Sequence, residues 1–93
     1  MSYSLAFLPQ ALKEWEKLDN TIKTQFKKKL TERLDAPHVL SDKLSGFDNV
    51  YKIKLRTVGY RLANQVKDTE LVVIVLAVGE RDKDRIYTAA QTL

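Results

Sequence analysis

The first eight residues alternate between apolar side chains and small or polar ones, and the pattern changes at Pro9. Tyr3, Leu5 and Phe7 occupy every second position, and this period of two predicts a strand over residues 2–8. Pro9 ends the strand and suits the first turn of a helix. We therefore expect the chain to begin with a short strand that leads directly into a helix.

Two helices are predicted between Pro9 and Pro37. In the first, apolar residues follow helical spacing until the segment LDN at 18–20 interrupts it. In the second, an apolar residue recurs at every fourth position, at Ile22, Phe26, Leu30 and Leu34. Because the connection between them is short, the two helices are expected to form an antiparallel hairpin.

A loop and a strand meander complete the chain. The loop spans 37–49 and carries three candidate apolar anchors, Leu40, Leu44 and Phe47. Turn signals then separate three strands, at about 50–56, 59–67 and 70–79. The run LVVIVLAV at 71–78 is apolar throughout, so it is expected to be a central strand covered on both faces. A short helix over 82–93 is expected to follow.

This order of elements predicts an α+β domain in which the helices pack on one face of an antiparallel sheet. The 93 residues suit one small domain over 1–93. There is no cysteine, so disulfides and thiolate chemistry are excluded. The N-terminus has no signal-peptide pattern, and the longest apolar run is too short for a bilayer. We therefore expect a cytoplasmic protein with no membrane partner.

Charge adds to this picture because the cations are not evenly spread. The net charge of +4 favours an anionic partner. Since side chains alternate along a strand, Lys52, Lys54 and Arg56 share one side of theirs. Ile53 and Leu55 then face the helices.

No carboxylate neutralises this basic strand face. The segment 51–67 contains no acidic residue, and Arg61 and Gln65 have the parity to lie beside the lysines. Like charges that face each other across a sheet destabilise it by about 0.2–1 kcal/mol per pair. The face is either a solvated surface of a basic protein or a surface that binds a polyanion. The pattern alone leaves both interpretations open.

Other catalytic schemes have little support. His38 is the single histidine, which excludes a two-histidine ribonuclease mechanism, and its position after Pro37 predicts a role within the loop. In ERDKDR at 80–85 each acid alternates with a cation, which favours a neutralised helix start over a metal site. There is no Gly-rich phosphate loop, Ser–His–Asp set or HExxH motif.

The basic face does contain the residue types that RNA cleavage requires. RNA supplies its own nucleophile, the 2′-OH, and cleavage needs a base, positive charge for the phosphorane and an acid for the leaving 5′-oxygen. A lysine among other cations has a lowered pKa and becomes usable as a base. Arginine cannot be a base, but it clamps phosphate. These residue types permit cleavage without specifying it.

Six segments together resemble the RelE toxins of bacterial toxin–antitoxin systems, within the RelE/ParE superfamily. They are ALKEWEKL (11–18), KKKL (27–30), DKLSG (42–46), YKIKLR (51–56), GYRL (59–62) and VGERDKDRIY (78–87). The resemblance implies a compact α+β fold like that of microbial ribonucleases. It also implies a ribosome-dependent endoribonuclease, without metal or cofactor, that cleaves mRNA in the A site by 2′-OH attack and so inhibits translation.

The resemblance also implies roles for individual residues. Lys52 and Lys54 match the family's active-site lysines, with Lys54 as the candidate base, and Arg61 matches the arginine that clamps phosphate. Arg81 matches the arginine that stabilises the transition state and protonates the leaving group, and Tyr87 matches the tyrosine that stacks on the substrate base. Contacts with ribosomal RNA are implied for Lys27, Lys28, Lys29, Lys43 and Arg56.

The implied partners are an acidic, RelB-like antitoxin, the ribosome with mRNA in its A site, and operator DNA bound through the antitoxin complex. Three positions depart from the family pattern. Ala63 and Asn64 stand where the family has a hydrophobic residue and an aromatic one, and Glu80 stands where a lysine is common. Two alternatives stay open: an attenuated toxin that mainly binds antitoxin and operator DNA, and a ParE-like gyrase inhibitor.

Overall fold

The computed structural model describes residues 2–80, and its elements match most of the predicted ones. Strand β1 is Ser4–Phe7, helix α1 is Pro9–Glu16 and helix α2 is Asn20–Asp35. A short 3-10 turn spans Leu40–Asp42. Strands β2, β3 and β4 are Val50–Leu55, Tyr60–Lys67 and Val72–Glu80. The helix predicted over 82–93 lies outside the described residues.

The four strands form one sheet in the order β1-β4-β3-β2. As the meander predicts, β2 is antiparallel to β3 and β3 is antiparallel to β4. Strand β1, by contrast, is parallel to β4, from Ser4 beside Val72 to Phe7 beside Val75. The sheet is therefore mixed rather than wholly antiparallel. Strand β4 lies inside it, between β1 and β3, as its apolar run predicts.

Both helices contribute to an apolar core on one face of the sheet. Phe26 and Leu30 of α2 are buried there, as the helical spacing predicts. The ring of Trp15 on α1 lies 6.2 Å from the ring of Phe26, so the two helices are in contact. Ile53 and Leu55 of β2 reach the same core from the sheet. Within residues 2–80, neither helix has the length and apolar composition that crossing a membrane requires.

The loop before β2 covers part of the opposite face of the sheet. Leu44 is buried and Phe47 is partly buried, and both pack in a second apolar cluster there. Leu40, the third predicted anchor, is 78% exposed, so that part of the prediction is wrong. Leu40 begins the 3-10 turn and faces water, whereas Asp42 at the end of the turn forms an ion pair with Arg33 of α2.

Two local irregularities lie beside the strands that carry the basic residues. Gly59 has a backbone φ of +69°, a value that residues other than glycine rarely adopt. It completes the turn between β2 and β3. The register of β3 on β4 shifts between Ala63 and Asn64, which leaves Leu76 without a paired residue. Such a bulge bends the strand and increases its twist. Both features lie next to the basic face.

Candidate active site

Strands β2 and β3 place three cations on the sheet face that the helices leave open. Lys54 pairs directly with Arg61, and Lys52 pairs with Ala63. Ile53, between the two lysines, is buried in the helix-side core. Because strand side chains alternate, Lys52, Lys54 and Arg61 share the other face. The register thus produces the juxtaposition of Arg61 with the lysines that the sequence predicts.

The neighbouring cations change the ionisation of Lys54. The pKa of Lys54 lies below its ordinary value, chiefly because of the positive charge of Lys52 and then because of partial desolvation. A hydrogen-bond interaction with Lys52 and the charges of Arg61 and Arg56 act in the same direction. A lowered pKa increases the fraction of neutral amine near neutral pH. The neutral amine is the form that can accept a proton.

A small cleft lies beside these cations, at the turn between β2 and β3. It has a volume of about 220 Å³ and is lined by Lys54, Leu55, Arg56, Gly59, Tyr60 and Arg61. Two of these side chains end in a guanidinium group, which can bind two phosphate oxygens at once, and a third ends in an ammonium group. The cleft therefore suits a phosphate group.

The row of paired residues continues from β3 onto β4. Arg61 pairs with Gly79, whereas the adjacent Tyr60 pairs with Glu80. Since side chains alternate, Glu80 projects to the face opposite that of Arg61 and Lys54. A carboxylate on the basic face would compete with a bound anion. The register keeps the Glu80 carboxylate off that face.

Two of the five catalytic candidates, Arg81 and Tyr87, lie outside the described residues. In the sequence, Arg81 directly follows the last residue of β4. Gly79 is a feature that sequence reasoning missed, because a glycine opposite Arg61 is visible only once the register of β3 on β4 is known. Gly79 therefore places no side chain of its own beside Arg61 in the sheet register.

A larger polar groove continues from the basic face around the edge of β2. It has a volume of about 450 Å³ and lies between β2 and α2. Lys29 lines it from the helix, Lys54 lines it from β2, and Arg56 lines it from the turn that follows β2. Two of the five residues with predicted contacts to ribosomal RNA, Lys29 and Arg56, therefore share a groove with the candidate base.

The other three predicted RNA contacts lie elsewhere on the surface. Lys27 lines an apolar groove of about 290 Å³ that also contains Leu5 of β1. Lys28 is exposed on α2. Lys43 directly precedes the buried Leu44 of the loop. Its backbone forms an isolated antiparallel β-bridge with Tyr51 at the edge of β2. These five cations thus do not form one continuous surface.

His38 contacts residues that are not part of the basic face. Its Nε2 lies 2.9 Å from Oδ1 of Asp68, and its ring is edge-on to the rings of Tyr3 and Tyr51. The hydroxyl of Tyr3 donates a hydrogen bond of 2.7 Å to the same carboxylate oxygen. His38 therefore has the structural role in the loop that its position predicts.

Comparisons with known sequences cover nearly the whole chain. A family profile described as the ParE toxin of type II toxin–antitoxin system, parDE, matches residues 5–85. The chain is also 49% identical over 90 residues to the mRNA interferase toxin RelE of Escherichia coli strain K12. That alignment covers 97% of this chain and 95% of the relative.

Solved structures agree with the sequence comparisons. A double arginine-to-alanine variant of the Escherichia coli toxin RelE in the free state matches with a TM-score of 0.93 at 47% identity, covering 99% of this chain and 97% of that one. A chain of the intact Escherichia coli RelBE toxin–antitoxin complex matches with a TM-score of 0.84 at 49% identity, covering 88% of this chain and 100% of that one.

Proposed function

This chain belongs to the RelE/ParE superfamily of type II toxins, and from this membership we propose that it is a single-domain toxin that cleaves mRNA as an endoribonuclease. Its relative at 49% identity is named an mRNA interferase toxin. The observation on this chain that carries the proposal is the pairing of Lys54 with Arg61, beside Lys52. These three cations are poised to bind one phosphate and to activate the adjacent 2′-OH.

Lys54 is the proposed general base. Its neutral amine takes the proton of the 2′-OH, the 2′-oxygen forms a bond to the adjacent phosphorus, and the bond from phosphorus to the 5′-oxygen breaks. Lys52 and Arg61 bind the phosphate oxygens and stabilise the charge of the phosphorane, the kind of preorganised interaction that often dominates catalysis. The products are a 2′,3′-cyclic phosphate and a 5′-OH.

Two further roles are proposed from the match to the family motif. Arg81 stabilises the transition state and protonates the leaving 5′-oxygen, so that the proton balance of the reaction closes. Tyr87 stacks on the substrate base, an interaction that tolerates any base because each has a flat π-face. This scheme uses only side chains and the RNA itself, with neither metal nor cofactor.

The proposed place of cleavage is the A site of the ribosome, in the cytoplasm. Lys29 and Arg56 are proposed to contact the ribosomal RNA backbone along the polar groove, where cations gain affinity by releasing counterions. Lys28 and Lys43 are proposed as further contacts, whereas Lys27, which lines the apolar groove on the β1 side, is left outside this surface. An acidic RelB-like antitoxin is the proposed neutralising partner, with operator DNA bound through their complex. The solved RelBE assembly of a relative supports this partner.

Primer extension on mRNA from stalled ribosomes tests the proposal. We expect cuts in phase with codons for the wild-type protein, and their loss in Lys54→Ala and Arg61→Ala. Lys67→Ala is the matched control, because Lys67 lies at the other end of β3, opposite Val72; it should cleave normally.

Three other outcomes would contradict the proposal in different ways. Growth arrest with intact mRNA would exclude an mRNA-cleaving toxin. Inhibition of gyrase in a supercoiling assay, without RNA cleavage, would identify a ParE-like inhibitor. Antitoxin binding with neither growth arrest nor cleavage would identify an attenuated toxin.

A further inference from the structure

Among the described residues, no strand lies along the outer edge of β4 beside its last residues. Pairing with β1 ends at Phe7 beside Val75, and the backbone N–H of Leu8 donates a 3.0 Å hydrogen bond to the carbonyl of Val75. Pro9 then begins α1, so the chain leaves the sheet at this point. Among the described strands, only β3 continues alongside residues 76–80.

Helix α1 provides a partner at this edge through Glu14. The backbone N–H of Val78 donates a hydrogen bond of 3.1 Å to Oε1 of Glu14, which lies 64 residues earlier in the chain. Val78 is 2% exposed, so water cannot readily replace this acceptor. A buried N–H without a partner costs free energy comparable to a lost hydrogen bond. A carboxylate acceptor makes the bond stronger than a neutral one would.

This hydrogen bond lies at the end of β4 that carries part of the candidate active site. Gly79 directly follows Val78 and pairs with Arg61, which in turn pairs with Lys54. Anchoring Val78 to α1 therefore fixes the β4 backbone beside the catalytic cations. We propose that Glu14 is a positioning residue for RNA cleavage, acting through the backbone of β4.

This role rests on the proposed function, because Glu14 can affect a rate through the position of β4 only if Arg61 and Lys54 take part in a reaction. Reacting groups must be held in place closely, and a displacement of about 1 Å can lower a rate by about 100-fold. If the N–H of Val78 is released, the end of β4 can shift relative to Arg61.

Two substitutions of the same residue separate positioning from a loss of stability. Glu14→Gln keeps an oxygen that can accept the N–H of Val78, whereas Glu14→Ala leaves that N–H without its partner. For cleavage of ribosome-bound mRNA, we expect Glu14→Ala to lower kcat by about tenfold or more with little change in KM. Glu14→Gln should keep most of kcat. By NMR, the Val78 amide should exchange faster with solvent in Glu14→Ala and at nearly the wild-type rate in Glu14→Gln.

Trp15→Leu is the control for destabilisation of α1. Trp15 follows Glu14 in the helix. Its ring contacts with Phe7 and Phe26 pack α1 against the core. Assayed well below its unfolding temperature, this variant should be less stable than the wild type and yet keep its kcat. A loss of kcat in Trp15→Leu as large as that in Glu14→Ala would overturn the positioning role.

The remaining outcomes distinguish failure of this inference from failure of the proposed function. If the wild-type protein cleaves and Glu14→Ala keeps full kcat, only the positioning role is overturned. The same conclusion holds if Glu14→Gln is as impaired as Glu14→Ala. If the wild-type protein does not cleave, the proposed function is overturned, and the positioning role with it.

Discussion

Lys54 is the residue on which the pH dependence of the proposed reaction depends. Its pKa is held below the ordinary value chiefly by the positive charge of Lys52. Lys52→Met removes that charge, so we expect the pKa of Lys54 to rise and the fraction of neutral amine at a given pH to fall. The ascending limb of the pH–rate profile should therefore move to higher pH, in addition to any loss of maximal rate.

Lys67→Met removes the same charge at the far end of β3 and should leave the limb in place. Higher ionic strength should move the wild-type limb in the same direction as Lys52→Met does, because salt screens the repulsion between exposed charges. A limb that moves to lower pH in Lys52→Met would contradict Lys54 as the base. So would an equal shift in the two variants.

Asn64 is a buried residue whose amide has no hydrogen-bond partner in the described part of the chain. The residue is 0% exposed, and neither Nδ2 nor Oδ1 is paired. Asn64→Leu replaces the amide with an apolar group of similar size. It should raise the free energy of unfolding by about 1–3 kcal/mol, the desolvation cost of such a group. Urea unfolding measures the difference.

Asn64→Ala is the matched control because it removes the same amide but leaves a cavity. We expect it to be less stable than Asn64→Leu. Asn64 pairs with Tyr51, one residue before Lys52, and therefore projects away from the basic face. Both variants should then keep their RNA cleavage. A wild-type stability of Asn64→Leu would contradict the cost assigned to the unpaired amide.

Three elements that are distant in sequence are joined at Asp68, in the turn between β3 and β4. Its carboxylate accepts a hydrogen bond from Tyr3, next to β1, and contacts His38, which follows α2. The pKa of Asp68 is lowered chiefly by the bond from Tyr3, with His38 acting in the same direction against desolvation. Such a carboxyl stabilises the fold above its unfolded pKa, and the contribution is lost as pH falls through the folded pKa.

Asp68→Asn tests this junction at acid pH. The wild-type protein should lose the contribution of Asp68 below about pH 4, the ordinary value for an aspartate. Thermal unfolding at a series of acid pH values should therefore show a shallower loss of stability in Asp68→Asn. Glu70→Gln removes an exposed carboxyl from the same turn and should keep the wild-type slope. Identical slopes in all three proteins would contradict the role of Asp68.

The helices and strands were predictable because the spacing of apolar residues over a few positions shows which side chains of an element face the core. In β2, Ile53 faces the core while Lys52 and Lys54 face away from it, so the strand and its faces follow from sequence alone. The parallel pairing of β1 with β4 depends on contacts that no local pattern encodes. The wrong prediction for Leu40 has a similar cause, because the sequence around an exposed leucine in a loop does not differ from that around a buried one.

The candidate site was predictable to the extent that it lies within one hairpin. Lys54 and Arg61 are joined by a short turn, so strand parity alone brings them together. The contribution of β4 was not predictable in this way. Gly79 lies opposite Arg61 only because of the register after the bulge, and the bond from Val78 to Glu14 requires α1 to pack against the end of β4.

At the scale of the described fold, lysines of α2 place positive charge on two different sides of this helix. Lys27 and Lys29 are two positions apart, and an α-helix turns by about 100° per residue, so they project in nearly opposite directions. Lys29 lines the polar groove that contains Lys54 and Arg56. Lys27 lines the apolar groove on the β1 side. Substitutions of these two lysines can therefore distinguish the effect of net charge on RNA binding from the effect of a charge at one place on the surface.

Lys29→Glu and Lys27→Glu change the net charge of +4 by the same amount, so long-range attraction to RNA falls equally in both. If the RNA backbone follows the polar groove from the basic face, only Lys29→Glu also loses a phosphate contact. We expect Lys29→Glu to bind ribosomes more weakly, with a slope of log affinity against log salt that is smaller by about one. Lys27→Glu should keep nearly the wild-type slope. Equal losses of affinity and slope in the two variants would mean that net charge, and not the groove, determines binding.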